Sequence, residues 1–403
     1  MDLRRIDRLP RYVFDVVDEW KAEAARRGDD VIDFGIGSPD LGTPEPIVDR
    51  LLAAARDARY HGYPTSAGTF ELRTALAVWY ERRYEVVVDP ETQVLVTWGA
   101  SDGMAHLPWV LLGPGDTALV PEPCYPIHRY AVLFSGATPI GVPIAAVTTD
   151  AEAGDPDDDV FAAIVKAYDG AARKPRAVVI SFPHNPTTRC VGIDFFARLV
   201  DFARRRNLFI VHDFAYADIA FDGYRPPSVL QAPGAADVAV ELVSLSKSYN
   251  MAGWRLGFAA GNAQVIGGLR RLKSYLDYGV TTPIQMMART ALEECDDVPT
   301  RVAALYQARR DALCDGLAAI GWPVAKPRGT MFVWARLPLA WRAHGSLAFA
   351  RRLLDEAHVA VSPGIGFGES GDDHVRFALV QPEERIAQAL RGIARALAEP
   401  PTR

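Results

Sequence analysis

Cysteine is scarce in this 403-residue chain, and Cys124, Cys190, Cys295 and Cys314 stand far apart with no CxxC pair among them. That spacing argues against a disulfide framework or a zinc cluster and fits a reducing cytoplasm. The eight histidines contain no HxxxH pair, so solvated or hydrogen-bonded imidazoles are expected, and no metal. No segment approaches the roughly 18 apolar residues needed to span a bilayer. Met1 to Gly28 is too charged to read as a signal peptide or anchor, so no membrane is expected. A net charge of -6 gives no global reason to bind nucleic acid, and the basic run Arg204-Arg205-Arg206 is expected at a solvated helix end. Repeats and low-complexity linkers are absent too.

What the chain does have is ordinary soluble composition, 49% hydrophobic and 23% charged, and enough length for two core-bearing units. Short apolar runs recur: Val94–Thr97, Thr117–Val120, Ala177–Phe182, Leu208–His212 and Val238–Val243. Runs of this kind without strict alternation predict strands buried on both faces. Between two of them, Ile193 to Arg206 places Phe195, Phe196, Leu199, Val200 and Ala203 at helical spacing, which makes a βαβ unit. Such units in series predict an α/β domain with a mostly parallel sheet, whose ligands gather at the carboxyl ends of the strands. Past about residue 290 the pattern becomes a long amphipathic helix, Val298 to Ile320, then alternating strands and helices of a smaller α+β domain. The expected division is 46–290 for the large domain, with 1–45 and 291–403 forming the small one.

The polar residues come directly after the apolar runs. Ser244-Leu-Ser-Lys247 ends the last of them, and Arg255 lies eight residues further on. A lone lysine is ordinarily a surface residue. At a strand end, however, partial desolvation lowers the amine pKa and suits it to forming a Schiff base with an aldehyde. Asp213, after Leu208–His212, reads either as a helix cap or as a buried acid facing a protonated ring nitrogen. Arg255 reads either as a surface ion pair or as a two-pronged phosphate grip, helped by Ser244 and Ser246. The Gly99–Gly103 loop precedes a helical pattern whose first N–H groups could hold phosphate, although Pro108 weakens that helix. An amine, an acid and an anion cradle together suggest pyridoxal 5'-phosphate (PLP).

Ser-Leu-Ser-Lys247 with Arg255, Pro183-His-Asn-Pro-Thr187, Asp213-Phe-Ala-Tyr216 and Val375-Arg376-Phe377 resemble the class I/II aminotransferases of the fold-type-I PLP family, over essentially the whole chain. Within that family, Ser246–Arg255 and Val361–Gly368 look most like the glutamate-pyruvate aminotransferases. The resemblance implies a seven-stranded, mostly parallel sheet flanked by helices. It implies that Lys247 anchors PLP and shuttles protons, that Asp213 keeps the pyridine nitrogen protonated, and that Tyr216 and Asn185 bond the ring's phenolic oxygen. Tyr125 would stack on the ring. Ser244, Ser246, Arg255 and the Ala100-Ser101-Asp102 loop would hold the phosphate, although Ala100 lacks a hydroxyl and Asp102 puts an acid near an anion. Arg376, with the Gly37 backbone, would bind the substrate α-carboxylate, and Asn185 would also contact substrate. Tyr63 would reach the phosphate of a partner subunit, near the Tyr278–Thr282 loop, giving a homodimer with shared sites.

The implied activity is transfer of an amino group between an amino acid and a 2-oxo acid, with alanine, pyruvate, glutamate and 2-oxoglutarate as substrates. No second arginine for a distal carboxylate is evident; His184 is a candidate, and Arg189 another that reads more readily as solvent-exposed. A PLP lyase, decarboxylase or synthase, or a transaminase of specialised metabolism, would carry the same residues. A DNA-binding regulator on this fold would need about 60 further N-terminal residues.

Overall fold

The computed structural model describes residues 9–145 and 156–398. The ends of the expected small domain, 1–8 and 399–403, lie outside the described residues, as does the start of the charged N-terminal segment. The strands, in chain order, are β1 (Ile32–Asp33), β2 (Val94–Thr97), β3 (Thr117–Glu122), β4 (Thr138–Pro143), β5 (Ala177–Ser181), β6 (Phe209–Asp213), β7 (Ala239–Ser244), β8 (Gly257–Gly261), β9 (Phe332–Arg336), β10 (Val359–Ala360), β11 (Ser362–Pro363) and β12 (His374–Ala378).

Seven of them form one sheet in the order β2-β8-β7-β6-β5-β3-β4. Only β8 runs against its neighbours; the other adjacent pairs are parallel. β5 and β7 are buried at every position, as expected of strands covered by helices on both faces. The helix Ile193–Arg206 crosses from β5 to β6 and buries Phe195, Phe196, Leu199 and Val200. It stops at Asn207, whose φ of 51° is left-handed, and exposes Arg204, Arg205 and Arg206 in its last turn.

Two strands of this sheet escaped the sequence reading for physical reasons. β4 contains Pro139 and Pro143, which only an edge strand tolerates, and β4 is the edge. β8, Gly-Phe-Ala-Ala-Gly, is short and made largely of small residues because it threads a crowded place. A Cβ on Gly257 would lie 2.6 Å from the Ala100 nitrogen and 2.7 Å from the Val243 carbonyl. Glycine thus lets β8 pass against the start of the helix Ala100–Leu111, which forms despite Pro108 in its interior.

The later strands build a separate antiparallel sheet, β11-β12-β9, beside the helices Val298–Ala319, Gly345–Ala357 and Glu383–Ala398. The N-terminal segment joins them. β1 pairs in parallel with β10, and Phe34 continues the ladder by donating to the Ala360 carbonyl and accepting from the Ala378 N–H, each at 2.8 Å. Beyond it, the Arg309 guanidinium grips both carboxylate oxygens of Asp40 at 2.7 and 2.8 Å and also donates to the Leu379 carbonyl.

Candidate active site

β2, β5, β6 and β7 point the same way, so the residues that succeed them emerge on one edge of the sheet. These are Gly99–Ser101, Phe182–Asn185, Asp213–Tyr216 and Ser244–Lys247. β8 runs the other way, so Arg255 precedes it and enters at that same edge. Facing this edge are Phe332 of β9, Arg376 of β12 and the segment Gly35–Gly37. Together they enclose a cavity of about 370 Å³.

Lys247 sits in the one-turn helix Leu245–Ser248 directly after β7 and points into the cavity. Its Nζ donates to the Gly37 carbonyl at 2.5 Å. Burial, with the nearby charges of Arg376 and Arg255, lowers the amine to about 8 from the ordinary lysine range. A neutral, nucleophilic amine is therefore accessible near physiological pH.

Asp213 is the last residue of β6 and lines the same cavity. Its Oδ1 accepts from the Ala215 N–H at 3.2 Å, and its Oδ2 lies 2.8 Å from His128 Nε2. His128 is buried on the helix Pro126–Phe134. A carboxylate held by two donors is poised to keep a third, cationic partner protonated. Tyr216 and Tyr125 also line the cavity. Burial raises both phenols, Tyr216 strongly, and the Asp213 charge adds to the effect, so each stays a hydroxyl donor.

Arg376 is buried, and its hydrogen-bond partners among the described residues are all neutral. Nη1 donates to Asn185 Oδ1 at 2.8 Å, and Nη2 donates to Ser362 Oγ at 3.2 Å and the Gly35 carbonyl at 3.3 Å, while Nε has no partner among the described residues. The guanidinium lies 3.9 Å from the Phe332 ring centroid and 4.6 Å from that of Phe367. Burial brings it down to about 10. A desolvated cation without an acid beside it calls for an anionic ligand. Gly37 permits this packing, since a Cβ there would sit 2.6 Å from the Phe332 ring.

The opposite end is an anion cradle. Ser244, Ser246, Ala100, Ser101 and Arg255 line it. The first N–H groups of the helix Ala100–Leu111 lack intrahelical acceptors, and its positive dipole end faces the same place. Arg255 is exposed and, by Nη1, donates to the Ala252 carbonyl. Asp102 does not line the cavity. Its carboxylate turns away to accept from the Trp98 N–H at 3.1 Å and from Lys273 Nζ at 2.7 Å. Tyr63 lies outside the cavity as well, 91% exposed, its ring 5.4 Å from that of Tyr278.

These residues fit PLP. A phosphorylated pyridine aldehyde needs an amine, an acid and an anion cradle, and all three open onto one cavity. The orphaned Arg376 Nε supplies a further anion site at the far end.

Several groups in or just behind the cavity escape sequence reasoning. Tyr12, Phe14, Asp15 and Asp18 come from the N-terminal segment and its helix Val13–Arg27. His128 lies three residues after Tyr125, a helical spacing that could have flagged it. Ser362 belongs to the Val361–Gly368 motif, which by itself gives it no role. His184 and Arg189 do not line the cavity. His184 Nδ1 lies 2.8 Å from Thr187 Oγ1, and burial lowers its imidazole to about 3. The expectation of an exposed Arg189 is corrected: it is buried, and it donates to the Ala145 carbonyl at 2.9 Å.

Comparison with known proteins agrees with this geometry. The family described as Aminotransferase class I and II matches residues 29–393. The chain is 49% identical to the glutamate-pyruvate aminotransferase AlaC of Escherichia coli, covering 96% of this chain and 92% of AlaC. It is 42% identical to an LL-diaminopimelate aminotransferase of Dehalococcoides mccartyi, covering 97% of each. Among solved structures, substrate-bound BacF of Bacillus subtilis superposes with a TM-score of 0.86 at 34% identity, covering 97% of this chain and 96% of that one.

Proposed function

From the premise that the chain belongs to the class I and II aminotransferases, and is a PLP-dependent transaminase of fold type I, we propose that it exchanges an amino group between alanine and pyruvate on one side and glutamate and 2-oxoglutarate on the other. The observation that carries an amino-acid substrate is Arg376: a buried guanidinium with neutral partners, opening onto the cavity that also holds the Lys247 amine. The AlaC likeness favours alanine and glutamate.

PLP, when bound, supplies an aldehyde and an electron-withdrawing ring. Lys247 anchors it through Nζ and later moves a proton to and from the substrate Cα with the same atom. Asp213, steadied by His128, holds the proton on the pyridine nitrogen. Tyr216 donates from its hydroxyl to the ring's phenolic oxygen, and Asn185, whose Oδ1 is engaged by Arg376, has its amide N–H left for the same oxygen. Tyr125 covers a ring face. Ser244, Ser246, Arg255 and the N–H groups of Ala100 and Ser101 grip the phosphate. Arg376 and the Gly37 backbone orient the α-carboxylate.

On this reading the large domain spans 46–290, and 1–45 with 291–403 form the small one. The protein works in the cytoplasm as a homodimer, with Tyr63 and Tyr278 extending to the partner's site; their exposure of 91% and 58% supports that. No described helix is long and apolar enough to cross a membrane.

A second donor class has its own support. Among the described residues the basic side chains lining the cavity are Lys247, Arg255 and Arg376, all with tasks, which leaves none of these for a distal carboxylate. Asp15 and Asp18 line it instead, which suits a donor with a distal ammonium. The decisive experiment offers single donors to purified holoenzyme. Alanine alone should release pyruvate once per site and then stop, without ammonia or carbon dioxide, until 2-oxoglutarate is added. Continued release of carbon dioxide without pyruvate would indicate a decarboxylase. Inert alanine beside a productive diamino acid would replace the alanine reading with the second one.

A further inference from the structure

Behind the anion cradle lies a buried ammonium that the reaction does not use. Lys273, in the last turn of the helix Ala263–Leu276, is wholly shielded from solvent. Its Nζ donates to Asp102 Oδ2 at 2.7 Å and to Asp277 Oδ2 at 2.6 Å. Asp102 is the third residue of the helix whose first two residues line the cavity, and its Oδ2 also accepts from the Trp98 N–H just before that helix. His106 Nδ1 lies 2.9 Å from the other Asp102 oxygen. Asp277 in turn accepts, through Oδ1, the Gly279 N–H at 2.8 Å, in the turn that carries Tyr278.

Asp102, His106 and Asp277 converge closely enough to suggest a cation site. The lysine ammonium already stands between the two carboxylates, so the protein supplies that cation from its own chain. Its placement has an electrostatic consequence. An anion held by Ala100 and Ser101 would feel the Asp102 carboxylate one residue away, and an unpaired acid there would repel it. Burial pushes the Asp102 carboxyl up, but His106 and the Lys273 charge hold it down at about 2, so the acid is ionised and its charge needs an opposite one.

We propose that Lys273 is a positioning residue for the phosphate end of the cofactor: it cancels the Asp102 charge, fixes that side chain against the Trp98 N–H, and so keeps the start of the Ala100–Leu111 helix hospitable to an anion. The proposal rests on the transaminase reading above, because it takes the cradle's anion to be the phosphate of PLP. Lys273 touches neither cofactor nor substrate and acts through Asp102.

The test titrates PLP into apoprotein and reads the absorbance of bound cofactor, for the natural chain, Lys273→Met, Asp102→Asn and the double variant. Lys273→Met strands Asp102 and should raise the Kd for PLP about tenfold, the order seen for residues sharing a charged network. Removing the stranded acid as well, in the double variant, should return the Kd to within about threefold of the natural value. Asp102→Asn alone should bind PLP at least as tightly as the natural chain. Unchanged affinity in Lys273→Met, or a double variant as weak as the single, would overturn the proposal, the latter because packing rather than charge would then be the lysine's role. If Lys273→Met does not fold, the double variant and Asp102→Asn decide: weaker binding in Asp102→Asn refutes the charge argument. Natural apoprotein that fails to bind PLP would refute the transaminase reading itself, which the variants leave untouched.

Discussion

His128 Nε2 and Asp213 Oδ2 lie 2.8 Å apart at the buried end of β6, so the acid facing the cavity is itself held by a histidine from another helix. His128→Phe removes that donor and leaves the carboxylate half-satisfied. The expected result is a kcat lower by about ten- to a hundredfold with PLP still bound, because a buried charge-assisted hydrogen bond is worth roughly 1.5–3 kcal/mol. Single-turnover kinetics of the donor half-reaction measure it; a full-rate variant would mean that Asp213 needs no such support.

Asp213→Ala should cost more. General acid–base support is typically worth about 10²–10⁴-fold, so kcat should fall within that span while donor binding changes little. Donor titration alongside rapid-mixing kinetics separates the two, and a loss confined to KM would count against a role in the chemistry.

Arg376→Met removes a buried cation whose partners among the described residues are neutral. The expected loss is about 2–4 kcal/mol in kcat/KM for every amino donor, with PLP affinity preserved. Steady-state kinetics with alanine and glutamate, beside a PLP titration, test this; a variant that kept its kcat/KM would show the α-carboxylate gripped elsewhere.

Lys247 carries a pH signature. Its amine is lowered to about 8, so capture of PLP by apoprotein should accelerate as the pH rises through 8 and level off above about 9. Stopped-flow absorbance reads the rate, and acceleration continuing beyond about pH 10 would assign an ordinary surface lysine. The linked stability has a definite sign. Between about 8 and the ordinary 10.5 the unfolded chain binds more protons than the folded one, so this group makes the apoprotein more stable with rising pH across that window.

Leu199→Ala tests the crossover helix. Leu199 is wholly buried against the sheet, and its truncation should lower unfolding free energy by about 2–5 kcal/mol in urea denaturation, with the site's absorbance intact before unfolding.

Much of this is legible in the sequence, and the reason is local. Ile193–Arg206 is a helix at the expected residues because its apolar spacing is written in the chain. Lys247, Asp213 and Asn185 can be found because each stands at or just beyond the end of an apolar strand, and parallel strands deliver their C-terminal ends to one edge. β4 and β8 escape because an edge position excuses prolines and a tight passage demands glycines, neither visible without neighbours. Asp15 and Asp18 escape for a longer-range reason. They lie on the N-terminal helix and reach the cavity only through its docking on the C-terminal elements, which no local pattern encodes.

The Arg309–Asp40 fork bears on how the molecule can move. It fastens the stretch just after Gly37 to the long helix Val298–Ala319 and the end of β12, the strand that carries Arg376. Gly37 and Arg376 are thus fastened to the same group of elements, so a hinge of the C-terminal half against the seven-stranded sheet would shift both together relative to Lys247.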